Sequence, residues 1–260
     1  MAAPELATPT SPLHRTRSAT VASENCTLQR VEKLIYLLGE TEAGVVPKGR
    51  RDLRNALLAA ATTLRRAGAR ELTFSVADVD DPDAGDVAQF NRMGLLDAQL
   101  SLWVDNLDAR GEIESIVEKL APRRAGYLVT ESILREYDGR DWSPGDPSPG
   151  IALVTTFPKP DAIDDETFFA RWHGSHGPLS LELHPLTRYV RNAVARALTP
   201  AAPPIRAIVS ESVASAAVAA DVEQFYGGRE NRERIVKDLF SFAELESMSA
   251  VVMREYILEA

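Results

Sequence analysis

Cysteine is almost missing from this chain: its 260 residues contain one, Cys26. No intrachain disulfide can form and no thiolate zinc centre can be built, which fits a reducing compartment. Apolar runs are short as well. Nowhere do about 18 apolar residues follow one another, so no membrane-spanning helix is expected. The opening stretch, residues 1–29, is rich in Pro, Ser, Thr and Ala; it lacks the apolar core of a secretory signal and reads as a flexible tail. Positive charge is in deficit too, with 29 Lys and Arg against 38 Asp and Glu and a formal net charge of -9. No basic stripe offers itself to a phosphate backbone or an anionic bilayer, so neither nucleic acid nor membrane is an expected partner. A cytoplasmic protein that handles a small molecule is the expectation these absences leave.

What is present falls into two halves with one element order. "VEKLIYLLGE" suits a strand, and "GRRDLRNALLAAATTLRRAGA" places Leu53, Leu57, Ala60 and Leu64 at helical spacing with Gly68 as a stop. "RELTFSVADVD" and "LDAQLSLWVDN" alternate as half-buried strands, "EIESIVEKL" carries a helical stripe, and "GYLVTESILREY" closes the half as a strand. The same β-α-β-β-α-β order resumes at "IALVTTF" and ends in "AVVMREYIL". Residues 138–150, punctuated by Pro and Gly, read as a linker between a unit at 30–137 and a unit at 151–260.

This order defines an α+β fold of two tandem ferredoxin-like units. Each unit leaves one face of its sheet bare. Two in one chain can bring those faces together about 10 Å apart and enclose a pocket, forming an intrachain dimeric α/β barrel. One chain then suffices as a monomer with an internal pseudo-dimer, and a further homodimer is compatible with it.

Chemistry concentrates in "FFARWHGSHGPL", residues 168–179, which hold two of the four histidines. Asp164 is a good N-cap, and Phe168, Trp172 and His176 fall on one side of the helix that follows. Gly174 and Gly177-Pro178 are expected to interrupt that helix and leave His176 beside the start of a second one, where a helix N-terminus keeps an imidazole neutral. Aromatic residues at helical spacing are ordinarily core; His176 is either a junction histidine bonded to backbone or an acid/base. His173 and His176 lack a carboxylate at a spacing that would complete a metal site, so no metal is expected. His184, before Pro185, reads as a solvated loop residue.

The pattern F-x-x-x-W-x-x-x-H-G-P-L, met by Phe168, Trp172, His176, Gly177, Pro178 and Leu179, and the strand "LTRYVRN" with Tyr189 and Asn192, resemble the EthD family of dimeric α/β-barrel proteins. The resemblance covers residues 151–258. It aligns Glu211 with the family's third-strand acid and Ser101 with the same place in the first half, which looks like a degenerate copy without the motif. It implies a pocket between sheet and helices and, through more distant barrel enzymes, chemistry on aromatic, polyketide-like or hydrocarbon-degradation compounds that needs no added cofactor: isomerisation, decarboxylation, cyclisation or oxygenation. His176 would be general acid/base and Tyr189 a hydrogen-bond donor to a developing enolate. Trp172 and Phe168 would wall the substrate, and Asn192, Arg191 and Glu211 would position it. Arg188 is a further candidate for holding a carboxylate. Tyr189 and Asn192 lie three apart on a strand, so at most one reaches the pocket. The competing expectations are a non-catalytic accessory protein of an oxygenase pathway, and a haem-handling barrel with His173 or His176 as axial ligand.

Overall fold

The structure, a computed structural model, describes residues 32–259; the tail expected at 1–29 lies outside the described residues. Eight strands form one closed barrel: β1 (Glu32–Gly39), β2 (Arg70–Val76), β3 (Ala98–Val104), β4 (Arg123–Arg135), β5 (Ile151–Phe157), β6 (Arg188–Ala197), β7 (Ala207–Val213) and β8 (Ser249–Ile257). The order round the barrel is β1-β3-β2-β8-β5-β7-β6-β4, with every pairing antiparallel.

Cut at two seams, this circle separates into β4-β1-β3-β2 and β8-β5-β7-β6, the same split-βαβ order twice. The two units do more than stack bare faces. β2 pairs with β8 and β4 pairs with β6, so the outer strands of each sheet are hydrogen-bonded to those of the other. Closure removes the open edges that a four-stranded sheet would expose.

Alternation then sorts the side chains into an inner and an outer set. Outward positions of the first half, such as Leu34, Leu72, Phe74, Leu100 and Leu102, pack under α1 (Arg51–Arg66) and α2 (Gly111–Leu120). α1 contributes Leu53, Leu57, Ala61 and Leu64, the stripe read from the sequence with Ala61 buried instead of Ala60. Outward positions of the second half are covered by α3 (Asp165–Phe169), α4 (Gly177–Leu183), α5 (Ala216–Ala220), α6 (Val222–Tyr226) and α7 (Arg229–Leu239). β8 serves both layers: Val252 packs with the second half and Tyr256 with the first, stacked 5.0 Å from Phe74.

Inward residues plug one end of the barrel with Ile35, Leu37, Tyr127, Ile208, Val251 and Met253. The other end is polar and open to a cavity of about 490 Å³. The stretch expected as a linker borders that end. Its Gly145 and Ser148 N–H groups donate to Ile257 and Glu255 carbonyls at 3.1 and 2.8 Å, filling the place beside β8 that β5 does not reach. Among the described residues no helix is long and apolar enough to cross a membrane.

Candidate functional site

The helix over the second sheet begins as its sequence dictates: the Asp164 carboxylate accepts the Thr167 N–H at 2.7 Å. It does not break at Gly174 or Gly177. Residues Ala170–His176 widen into a π-helical segment joining α3 to α4, with the Gly177 N–H bonded to the Trp172 carbonyl five residues back. Such segments are a recurrent feature of functional sites. Gly177 has ordinary helical φ; its missing side chain serves close approach instead, because a Cβ there would lie 2.5 Å from Arg191 Nη1.

Beneath this helix, on the outer face of the second sheet, lies a cavity of about 370 Å³. Most of its wall is apolar, with Phe157, Val209, Phe225 and Met248 among the lining residues. Six titratable side chains from separate places converge on it: His176 from the π-helical segment, His184 from the end of α4, Tyr189 from β6, Glu211 from β7, Tyr226 from α6 and Arg232 from α7. Tyr189 and Glu211 are cross-strand partners.

Burial governs the charge of Glu211, Tyr189 and the two histidines. The Glu211 carboxyl, in an apolar setting, is pushed up to about 7. The Tyr189 phenol is raised well above its ordinary value by burial, with neighbouring Glu211 adding to the effect. His176 is lowered by burial, opposed by Asp238 on α7, whose Oδ2 lies 2.9 Å from His176 Nδ1. The neutral imidazole thus arises from desolvation rather than from a helix N-terminus. With Nδ1 engaged by Asp238, Nε2 is the ring nitrogen left to act. His184 is lowered to about 4, by burial and then by His176, and neither of its ring nitrogens has a hydrogen-bond partner.

His184 was expected in a solvated loop; it is 8% exposed and stacks 4.2 Å from the Phe225 ring. Trp172 and Phe168 are core, at 1% and 0% exposure, packed with Phe157 and Phe242 behind the cavity rather than lining it. Asn192 points the opposite way from Tyr189, into the barrel lumen, as alternation requires. Arg191 shares the outer face with Tyr189 but braces the helix: its Nη1 donates to the His173 carbonyl at 3.4 Å and its guanidinium lies 5.9 Å from the Trp172 ring centre. Arg188 faces the lumen and pairs with Glu255 at 2.6 Å.

The sequence reading missed Asp238, Phe225, Tyr226 and Arg232, which sit on α6 and α7; the aromatic pair at 225–226 was the available signal. The alignment of Ser101 with Glu211 also fails, because Ser101 faces the lumen and the outward positions on β3 are Leu100 and Leu102. Among the described residues no group of three or more His, Cys, Asp and Glu side chains is gathered to hold a metal ion.

The architecture is that of the dimeric α/β-barrel proteins, with both halves supplied by one chain. In detail, the chain is similar to a solved anthrone oxidase-like protein at 11% identity and a TM-score of 0.53, over 88% of this chain and 93% of that one. It also aligns with a dye-decolorizing peroxidase from Bacteroides thetaiotaomicron at 8% identity and a TM-score of 0.44, over 88% and 94% of the two chains. The first of these likenesses, with the closed eight-strand barrel itself, establishes the fold. No protein-family model matches the chain, and no curated protein matches it in sequence.

Proposed function

We propose that the cavity under the π-helical segment is the active site of an enzyme that moves a proton on a small, largely apolar organic molecule bearing a carbonyl group. The convergence of His176, His184, Tyr189 and Glu211 on one largely apolar hollow carries this reading. Apolar walls with a few convergent polar groups and perturbed titrations are the usual marks of such a site.

The chemistry follows from the charge states. Glu211, held near neutrality, takes a proton from a carbon beside the substrate carbonyl: the C–H bond breaks, an O–H bond forms on Glu211, and the electron pair moves to the carbonyl oxygen. Tyr189 keeps its proton at neutral pH and donates a hydrogen bond to the developing enolate. Glu211 then returns that proton to the substrate's carbon skeleton, while His176, neutral and donating Nδ1–H to Asp238, has a bare Nε2 that serves as a second proton acceptor. These groups suffice for isomerisation, decarboxylation, cyclisation or the first step of oxygenation of an aromatic or polyketide-like compound, with no cofactor required for the proton step. The EthD-like pattern supports the reading, since it falls on the helix that roofs the cavity. A cavity of about 370 Å³ admits a two- or three-ring compound at most.

The test is hydrogen–deuterium exchange at the methylene carbon of an anthrone-type ketone, followed by NMR in D₂O. Wild type is expected to accelerate exchange, with Glu211→Gln and His176→Ala slowed by at least about 100-fold while still binding the ketone. Binding without exchange in the wild type would make the protein a carrier instead.

A further inference from the structure

The barrel lumen is a second cavity, separate from the helix-side site and larger, at about 490 Å³. Its lining is mostly polar, with Ile133, Val190 and Ile257 among the few apolar side chains. Buried ion pairs brace it. Lys33 pairs with Glu131, and Glu255 accepts from Arg188 at 2.6 Å and from the Tyr137 hydroxyl at 2.9 Å. Five glutamates line the cavity with Lys33, Arg140 and Arg188; Glu136 also accepts from Arg188, and Glu259 pairs through Oε1 with Arg65 at 3.1 Å.

Two deep acceptors in this wall have no partner among the described residues. Asn192 is 1% exposed and its Oδ1 is unbonded; Gln99 is 6% exposed and its Oε1 is unbonded. The orientation of Asn192 is fixed, because its Nδ2 donates to the Ile208 carbonyl and so turns Oδ1 the other way. A buried acceptor left unpaired costs about 1–3 kcal/mol, and two in one cavity call for a donor that belongs there. At the rim, a bulge in β2 holds Glu71 at φ 47, a left-handed conformation rare for this residue type, and places it on the lumen wall. Glu259 stands at the same rim, with its Oε2 buried and unpartnered.

We propose that the lumen binds a short linear aliphatic diamine, one ammonium group against Asn192 Oδ1 and Gln99 Oε1 and the other at Glu259 Oε2 on the rim. An ammonium group brings three donors and no acceptor, which matches the unpartnered oxygens of Asn192, Gln99 and Glu259. The aliphatic chain between the ends lies against Ile133, Val190 and Ile257. A dicarboxylate of equal length would meet Glu131 and Glu255 and find no free cation, since both buried basic groups are already paired.

The experiment is isothermal titration of the full chain with 1,4-diaminobutane and 1,5-diaminopentane, with succinate as control. Both diamines are expected to bind saturably at one site, succinate not at all. Asn192→Leu should weaken diamine binding at least tenfold; because it also removes the Nδ2 bond to Ile208, Gln99→Leu gives the same readout should the first variant fold poorly. Glu211→Gln, in the other cavity, should bind diamines as wild type does. Loose attraction of diamines to an acidic surface would be unchanged by Asn192→Leu, and that result overturns the proposal. So does absence of binding up to 10-fold above millimolar diamine, or binding of succinate with equal strength.

Discussion

Tyr189 and Glu211 stand directly opposite each other on β6 and β7, both turned toward the helices and both bordering the same apolar cavity. The pairing places a phenol that keeps its proton next to a carboxyl held near neutrality, so one donates a hydrogen bond while the other exchanges a proton. Two acids of different strength side by side, with their values driven upward by burial, form the acid/base division that proton-transfer sites recurrently use.

Glu211 therefore sets two pH dependences. Activity requires its ionised form as base, so exchange should rise as pH increases through about 7. Stability runs the other way. The native state holds the proton more tightly than the unfolded chain, so the Glu211 contribution is present below the ordinary glutamate value and is lost as pH rises through about 7. Urea denaturation at pH 5 and pH 8 should show Glu211→Gln gaining roughly 2 kcal/mol relative to wild type on going to the higher pH. Equal pH responses of the two proteins would show that Glu211 titrates normally.

His176 and Asp238 test a different link. The carboxylate fixes Nδ1 and opposes the burial that lowers the imidazole. Asp238→Asn keeps the shape but removes the charge, so the His176 titration should move further down, and with it the second, lower-pH step of the rate profile beneath that of Glu211. We expect turnover at neutral pH to fall about 10- to 100-fold in Asp238→Asn and about 100- to 10,000-fold in His176→Ala. A purely structural pair would alter melting and leave the profile in place.

Much of this arrangement was legible before any coordinates. The stripe through Leu53, Leu57 and Leu64 and the alternation through Leu72, Phe74 and Val76 report burial directly, which is why the duplicated β-α-β-β-α-β order could be read. Alternation likewise separates Tyr189 from Asn192. Other features depend on long-range partners that local pattern does not encode. Whether Ser101 or Leu102 faces the helices depends on register across the sheet, and the lumen cavity is assembled from inward residues of seven of the eight strands, no two of which announce each other in sequence. Gly177-Pro178 signals a helix break by local rules, yet tertiary packing against Arg191 keeps the helix going in a wider register. His184 looks like a loop residue beside Pro185 until α6 folds Phe225 onto its ring.

That last contact makes His184 a reporter of the cavity. Its imidazole is buried neutral, lowered to about 4 with no partner on either nitrogen. The unfolded chain takes up the proton near pH 6.5 and the native state does not, so stability is full above that value and declines as pH falls toward 4. Replacement by Leu, which cannot charge, should flatten the acid limb by about 2–3 kcal/mol between pH 7 and pH 4.5. Guanidinium melts of His184→Leu across that range check it; a limb as steep as that of wild type would place the ring in contact with water.

The start of the second half rests on one glycine. Gly150 precedes β5 with φ +78, and a Cβ there would lie 2.0 Å from the Val213 carbonyl oxygen at the end of β7. The obstruction is backbone, so no side chain can swing aside to relieve it. Gly150→Ala adds left-handed strain to that clash and must push β5 away from β7, the pairing that sets Leu153 opposite Glu211. We expect a loss of about 3 kcal/mol or more, whereas Gly139→Ala, where a Cβ would meet nothing within 4 Å, should change stability by less than about 0.5 kcal/mol. Comparing the two by thermal melting separates a positional demand from a general cost of removing glycine. Because the displaced strand carries the floor of the helix-side cavity, the Gly150→Ala protein that remains folded should also bind the ketone probe more weakly, while its lumen, walled largely by other strands, should retain diamine binding.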